Sequence, residues 1–247
     1  MLDKIGTTSL VCEPFHADFT GQLTLSTLGN HLLNCTEQHA MARGFGMVDF
    51  KDEDYTWVLS RLAIEFDSLP KRYESFQIST WVERVYRLFP DRNYALRDAE
   101  GQILGYGCST WSLIGVKSRK PVELTALHDG LLMQYTCPEE PCPIEKPMRF
   151  KVSATEPEGS FQAQYSDIDI NGHVNSIRYI ERVLNLFSLD DLRQHPLRRF
   201  EISYVTESFF GDVLDFYVDH PTPQENLVEV RQRKDQSVVC RCRILTK

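Results

Sequence analysis

The chain has no long unbroken apolar run, no surplus of positive charge and no paired-cysteine pattern, and each lack removes a class of protein. The uncharged stretch 101–116 is 16 residues long and rich in Gly, Ser and Thr. It is too short and too polar for a membrane span of about 20 residues. The opening MLDKIGTTSLVCEPF has neither the apolar core of a secretory signal nor the Arg/Ser-rich character of a transit peptide. Lys and Arg total 27 against 35 Asp and Glu, giving a net charge of −8. Residues 1–147 hold 14 basic and 20 acidic residues, and residues 148–247 hold 13 and 15, so neither half is a basic module. A broad nucleic-acid surface is therefore excluded. Cysteines number seven, an odd count. Cys240 and Cys242 alternate on one face with Val238 and Ile244 and read as small core residues. Cys137 and Cys142 have no second Cys or His pair nearby, so no metal site is expected. The expected setting is reduced and cytoplasmic, with no membrane partner.

What is present is an ordinary globular composition: 247 residues, 42% hydrophobic and 25% charged. The first half reads as a strand over 8–19 disturbed by Pro14, then a helix whose apolar stripe is Leu25, Leu28, Leu32, Cys35, His39 and Ala42, stopped by Gly44. His39 on that stripe reads as a core histidine. Strand-like runs follow at 57–66, 76–85, 93–99 and 103–114. Residues 137–147 hold four prolines in eleven positions and read as a connector. The second half repeats the order: a strand at 161–165, a polar loop, a helix over 174–189 with Ile177, Ile180, Leu184 and Phe187 on one face, then strands at 199–207, 213–219, 227–233 and 238–245. No strong residue-level identity links the halves.

One long helix among five antiparallel strands requires a curved sheet that buries the helix on its apolar stripe. The expectation is an α+β double hot-dog. Residues 1–136 form an N-terminal unit, 137–147 a linker, and 148–247 a C-terminal unit. Such a chain is a pseudo-dimer, working as a monomer or a homodimer.

The segment Asp167-Ile-Asp-Ile-Asn-Gly-His-Val-Asn175 is the most informative. Asp169, Asn171 and His173 alternate along an extended stretch, so a carboxylate, an amide and an imidazole can converge on one cavity. A helix start at Val174 and Asn175 would offer unpaired N–H groups to a developing oxyanion. The same residue types also make ordinary Asx turns and caps, which suits Asp167 and Asn175. An EF-hand calcium loop fails for want of a terminal Glu and because His173 interrupts the oxygen ligands.

These residues, read with their neighbours, resemble the acyl-acyl carrier protein (acyl-ACP) thioesterases of plants and bacteria. The hallmark D-x-N-x-H-V-N-x-x-Y stands here as Asp169, Asn171, His173, Val174, Asn175 and Tyr179, with one extra residue before the Tyr. A second hallmark, Y-x-x-E-C-G, is matched by Tyr204-Val205-Thr206-Glu207-Ser208, with Ser for Cys and Gly211 slightly later. WVLSRL (57–62), STWV (79–82) and STWSLIGVKSRKPVEL (109–124) extend the likeness through the first half. With no plastid transit segment expected, the chain looks bacterial in type.

The resemblance implies hydrolysis of the thioester joining a fatty acyl chain to ACP, without metal or organic cofactor. It adds Glu207 to Asp169, Asn171 and His173 as a catalytic residue. Strand parity from Phe200, Ile202 and Tyr204 sets Glu207 on the opposite face, so a bulge or strand end must bring it in. Trp57, Trp81 and Trp111 are candidate pocket walls. An acidic carrier protein needs a local positive surface, for which Lys117, Arg119 and Lys120 form one candidate cluster, and Arg178 and Arg182, with Arg193, Arg198 and Arg199, another. Three further readings share these residues: an acyl-CoA thioesterase, a non-catalytic acyl-binding protein and a dehydratase.

Overall fold

Thr24 sits in extended backbone and its hydroxyl accepts the N–H of Thr27 at 3.1 Å, which caps the start of a helix at the position the stripe predicts. The computed structural model describes residues 2–125 and 127–247. Its contacts divide the chain into two units, Met1–Lys146 and Pro147–Lys247.

Unit 1 runs β1 (Gly6–Val11), α1 (Leu25–Met41), β2 (Tyr55–Phe66), β3 (Ser75–Val85), β4 (Pro90–Asp98), β5 (Ile103–Gly115) and a single helical turn, α2 (Leu131–Gln134). Its strands lie in the order β1-β3-β4-β5-β2, all antiparallel. β1 ends at Val11, and Pro14 starts a 3-10 turn, so the strand expected to reach residue 19 is cut short. Helix α1 buries Leu25, Leu28, Leu32, Cys35, His39 and Ala40. Ala42 lies past the helix end and is exposed, so Ala40 closes the stripe. Register shifts after Leu59 in β2 and Val82 in β3 mark bulges, which bend strands around a helix.

Unit 2 runs β6 (Gly159–Gln162), α3 (Arg178–Leu184), α4 (Leu189–Gln194), β7 (Leu197–Tyr204), β8 (Val213–Thr222), β9 (Glu225–Gln232) and β10 (Val238–Thr246). The strand order is β6-β8-β9-β10-β7, the same as in unit 1 once the strands are matched by sequence position. Each unit has the hot-dog plan. The single helix expected over 174–189 is instead two short ones. Ser188 and Asp191 form a capping box, with the Ser188 hydroxyl accepting Asp191 N–H at 3.1 Å, and this starts a new helix where a continuous one would have ended. At the other end, the Asn175 side chain accepts Ile177 N–H at 2.9 Å and holds the chain out of helix until Arg178. The buried face is accordingly Ile177, Tyr179, Ile180 and Val183, while Leu184 and Phe187 are only partly covered. Cys240 and Cys242 are fully buried, as their alternation requires.

The proline-rich segment 137–147 is not a loose tether. Cys137 N–H bonds Val82 O at 2.8 Å, Trp81 Nε1 donates to Glu140 O at 2.7 Å, and Cys142 N–H reaches the Glu83 carboxylate at 3.2 Å. Lys146 pairs with the buried Asp91. The segment is thus pinned across the sheet of unit 1, which ends at Lys146 rather than at residue 136. Among the described residues no helix is long and apolar enough to cross a membrane.

His39 is a core histidine, but only half satisfied. Its Nε2 lies 2.9 Å from Lys4 O, while the buried Nδ1 has no partner among the described residues. Burial first, then the nearby Arg92 guanidinium, push its pKa down to about 3. The folded imidazole is therefore neutral where an unfolded chain, with a pKa near 6.5, takes up a proton. Stability is retained above pH 6.5 and is lost as the pH falls from there toward 3. At pH 4.5 this amounts to about 3 kcal/mol. Denaturant unfolding at pH 7.5 and 4.5 should show that drop in the native chain, and His39→Gln should remove most of it.

Candidate active site

The loop after β6 is anchored by an ion pair between a buried carboxylate and a half-buried guanidinium. Asp167 is almost fully buried; its Oδ1 accepts Arg182 Nη2 at 2.7 Å and its Oδ2 accepts Gln164 N–H at 2.8 Å. The Arg182 guanidinium also lies 5.0 Å above the Phe161 ring. From this anchor the chain makes a narrow hairpin. Ile168 bridges Val174, Asp169 N–H bonds His173 O at 2.8 Å, and Gly172 N–H bonds Asp169 O at 3.0 Å. Gly172 has φ +80 with open space around a would-be Cβ, so the backbone conformation is what favours glycine there. Asp169 Oδ1 accepts the N–H groups of Asn171 at 2.8 Å and His173 at 3.3 Å. The carboxylate thus closes the turn from inside. Ile170 at the tip is 95% exposed, Asn171 is exposed beside it, and His173 sits at the half-buried base.

A second loop meets this hairpin. Strand β7 ends at Tyr204, and the N–H groups of Val205 and Thr206 share one acceptor, Val239 O, at 2.8 and 3.2 Å. Two successive donors on one carbonyl break the two-residue alternation. Val174 N–H then bonds Ser208 O at 2.8 Å, and His173 bridges Phe209. Glu207 arrives beside His173, with Oε1 3.3 Å from Nδ1; their side chains are 34% and 24% exposed. The parity conflict for Glu207 disappears because it lies beyond the strand end. The Phe209 ring meets the imidazole edge-on at 5.1 Å.

The expected oxyanion donors are not available. Val174 N–H is committed to Ser208 O, and Asn175 N–H bonds Asp167 O at 2.8 Å. Helix α3 begins only at Arg178, so these residues are not its free first turn. Ser208 is fully buried, and its hydroxyl accepts Gln232 Nε2 at 3.2 Å. The Tyr179 phenol also interacts with the Ser208 hydroxyl, and burial pushes the phenol pKa well up.

The tryptophans divide. Trp57 and Trp111 line one cavity of about 200 Å³ inside unit 1. Trp81 does not; it packs with Ala95 and Cys137 under the proline-rich segment. The basic residues divide as well. Lys117, Arg119 and Lys120 sit on the exposed turn after β5, with Lys117 89% exposed and 3.6 Å from Asp54. Arg182 is committed to Asp167, and Arg178 to Glu181 at 2.7 Å, so this pair is not an open positive surface. Among the described residues no group of three or more His, Cys, Asp or Glu is placed to hold a metal.

Unit 1 carries a counterpart of the hairpin that reading the sequence missed. Asp18 Oδ1 accepts Thr20 N–H at 2.7 Å and Gln22 N–H at 3.3 Å, Gly21 has φ +81, and Ala17 bridges Leu23. Leu23 N–H bonds Pro70 O at 2.8 Å, as Val174 bonds Ser208. The shared signal is D-x-[TN]-G-x-[LV]-[TN] at 18–24 and 169–175. In unit 1 Gln22 stands where unit 2 has His173, and Leu69 where it has Glu207, so the imidazole–carboxylate pair occurs once.

Comparison with known proteins agrees with this division. A family model for the acyl-ACP thioesterase N-terminal domain matches residues 11–127, and one for the acyl-ACP thioesterase C-terminal domain matches residues 151–245. The chain is 27% identical to oleoyl-acyl carrier protein thioesterase 2 of Arabidopsis thaliana over 82% of its own length and 59% of that protein's. It is 24% identical to a palmitoyl-acyl carrier protein thioesterase of Gossypium hirsutum over 77% of its length and 49% of the relative's. The chain thus spans about half to three fifths of these curated relatives. A crystal structure of an acyl-ACP thioesterase from Bacteroides thetaiotaomicron is similar throughout: 52% identity, TM-score 0.93, covering 99% of this chain and 98% of that one. A 12:0-ACP thioesterase from Umbellularia californica shares the fold at TM-score 0.84 and 17% identity, over 100% of this chain and 98% of its own. With one domain model on each unit and the matches in chain order, the protein belongs to the acyl-ACP thioesterase family.

Proposed function

We propose that the protein hydrolyses fatty acyl-ACP to free fatty acid and ACP by direct attack of water. The observation that carries this reading is the His173–Glu207 pair, 3.3 Å apart at a half-exposed loop junction in a chain of this family. A carboxylate on Nδ1 favours the tautomer with the proton there and leaves Nε2 as the base. Nε2 takes a proton from water as the oxygen–carbon bond forms. The imidazolium, held by Glu207, returns that proton to the thiolate as the carbon–sulfur bond breaks. Asn171, whose side-chain amide has no hydrogen bond among the described residues, is free to donate to the carbonyl oxygen. Asp169 acts through the loop, because its Oδ1 is engaged by two backbone N–H groups. The apolar cavity in unit 1 suits a hydrocarbon chain. Seven free thiols, six of them buried, suit a reduced cytoplasmic setting. The exposed Lys117, Arg119 and Lys120 turn suits an acidic carrier protein.

Thiol release from matched acyl-ACP and acyl-CoA tests the reading. Preference for acyl-ACP is expected; preference for CoA overturns the carrier assignment, and absence of release from both overturns the enzyme. His173→Ala should lower kcat by about 100-fold or more.

Asp169 separates two roles. Asn keeps the acceptor oxygen, so Asp169→Asn should retain most activity while Asp169→Ala loses it. Equal loss in both would make the carboxylate itself an acid–base group.

Ser208→Ala should keep most of the activity, with no acyl-enzyme trapped on rapid quench. A covalent adduct on Ser208 would replace water attack by nucleophilic catalysis.

Changing Lys117, Arg119 and Lys120 together to Glu should raise KM for acyl-ACP, with the penalty shrinking as salt is added. Normal ACP binding by this variant would move the docking surface elsewhere.

A further inference from the structure

A guanidinium taken out of water is costly unless its donors are met. Arg92, in the middle of β4, is only 5% exposed and lines the 200 Å³ cavity of unit 1 together with Leu33, Ala40, Trp57 and Trp111. It carries five N–H donors. Among the described residues it makes one side-chain hydrogen bond, from Nη1 to Thr80 Oγ1 at 3.1 Å. Burial lowers its pKa to about 10, still well above neutrality, so the cation persists inside an otherwise apolar wall.

Glu37 of α1 lines the same cavity. Its Oε1 accepts Met47 N–H at 2.9 Å, and burial raises its pKa. The charges of Arg92 and Glu37 act on one another, yet no ion pair joins them. The other polar groups nearby satisfy each other: Thr36 with the Tyr94 hydroxyl at 2.6 Å, Tyr94 with Ser109 at 3.1 Å, and Trp111 Nε1 with Ser109 at 2.8 Å. The unmet polar demand of the cavity is thus one donor-rich cation and one acceptor-only anion.

We propose that this cavity selects an acyl chain bearing a hydroxyl group, whose oxygen accepts from the Arg92 guanidinium and whose hydrogen is donated to the Glu37 carboxylate. This deepens the reading of the protein as an acyl thioesterase and rests on it. An unsubstituted hydrocarbon adds no partner, leaving Arg92 with Thr80 alone and Glu37 with Met47 N–H alone among the described residues. A ketone meets Arg92 but turns an oxygen lone pair toward Glu37. A hydroxyl is the simplest substituent that serves both, and sites built to bind a hydroxyl discriminate strongly against analogues lacking it.

The test is kcat/KM for acyl-ACPs of one chain length: unsubstituted, 3-oxo, and hydroxylated at carbon 3, at mid-chain and near the terminus. One hydroxy isomer should exceed the unsubstituted chain by at least tenfold, and Arg92→Met and Glu37→Met should each cut that ratio at least tenfold. The ratio is taken within each variant, so overall activity does not enter. Calorimetric binding of the matching free hydroxy and plain fatty acids to the native chain gives the same comparison without a variant. The proposal is overturned if no hydroxy isomer is preferred by the native chain. It is also overturned if the preference survives both substitutions, or if Arg92→Met only lengthens the chain accepted. Should no acyl thioester be hydrolysed, the enzymatic reading fails, and the binding comparison still decides whether the cavity selects a hydroxyl.

Discussion

The hydrogen bond from Val174 N–H to Ser208 O, with the His173–Phe209 bridge beside it, ties together two loops far apart in sequence. Everything at the candidate site depends on that tie. One loop follows β6 and the other follows β7, and neither has a catalytic geometry alone. Once joined, an imidazole from one and a carboxylate from the other stand 3.3 Å apart. The tie needs a straight, rigid edge on the first loop. Asp169 provides it by closing the hairpin, and the pairing of buried Asp167 with Arg182 holds the hairpin base. Removing Arg182 would leave the buried Asp167 carboxylate short of its cation, so the anchor is structural as well as positional.

The two units use one scaffold for different ends. The turn closed by Asp18 matches the turn closed by Asp169 down to the left-handed glycine and the N–H that reaches across to the following strand connection. Backbone geometry is preserved because the same backbone donors must be satisfied in both. Side chains projecting from it are under no such constraint. Gln22 and Leu69 in unit 1 replace His173 and Glu207 and remove the acid–base pair. Unit 1 instead holds all three tryptophans and a cavity with a charged wall. Its sheet is further covered by the proline-rich segment, whose backbone groups bond Val82, Trp81 and Glu83 rather than water.

Much of this was legible from residue order. The strand and helix runs, the repeat of strand, helix and four strands, the stripe on α1 and the Asp169/Asn171/His173 loop all follow from periodicity and local chemistry. Shape inside unit 2 was less legible. The apolar spacing 177, 180, 184, 187 fits one helix, but Ser188 and Asp191 cap a second one, and a local cap outweighs a weak periodic signal. The apparent helix start at Val174 failed for a related reason: an extended residue that completes a bridge cannot also leave its N–H free.

What the sequence determined by itself was the set of groups able to do chemistry and the elements carrying them, because those follow from neighbours within a few residues. Only the tertiary structure decided which groups meet. Glu207 joins His173 because β7 ends and the chain swings, an event that strand parity cannot register. Trp81 faces away from the cavity that Trp57 and Trp111 share, since its neighbour in β3, Val82, lines that cavity, and only the fold brings Glu140 O to its indole N–H. Arg92 and Glu37 face one space because a sheet and a helix pack together. Such contacts join residues tens of positions apart, and long-range burial, which no local pattern encodes, is what selects them.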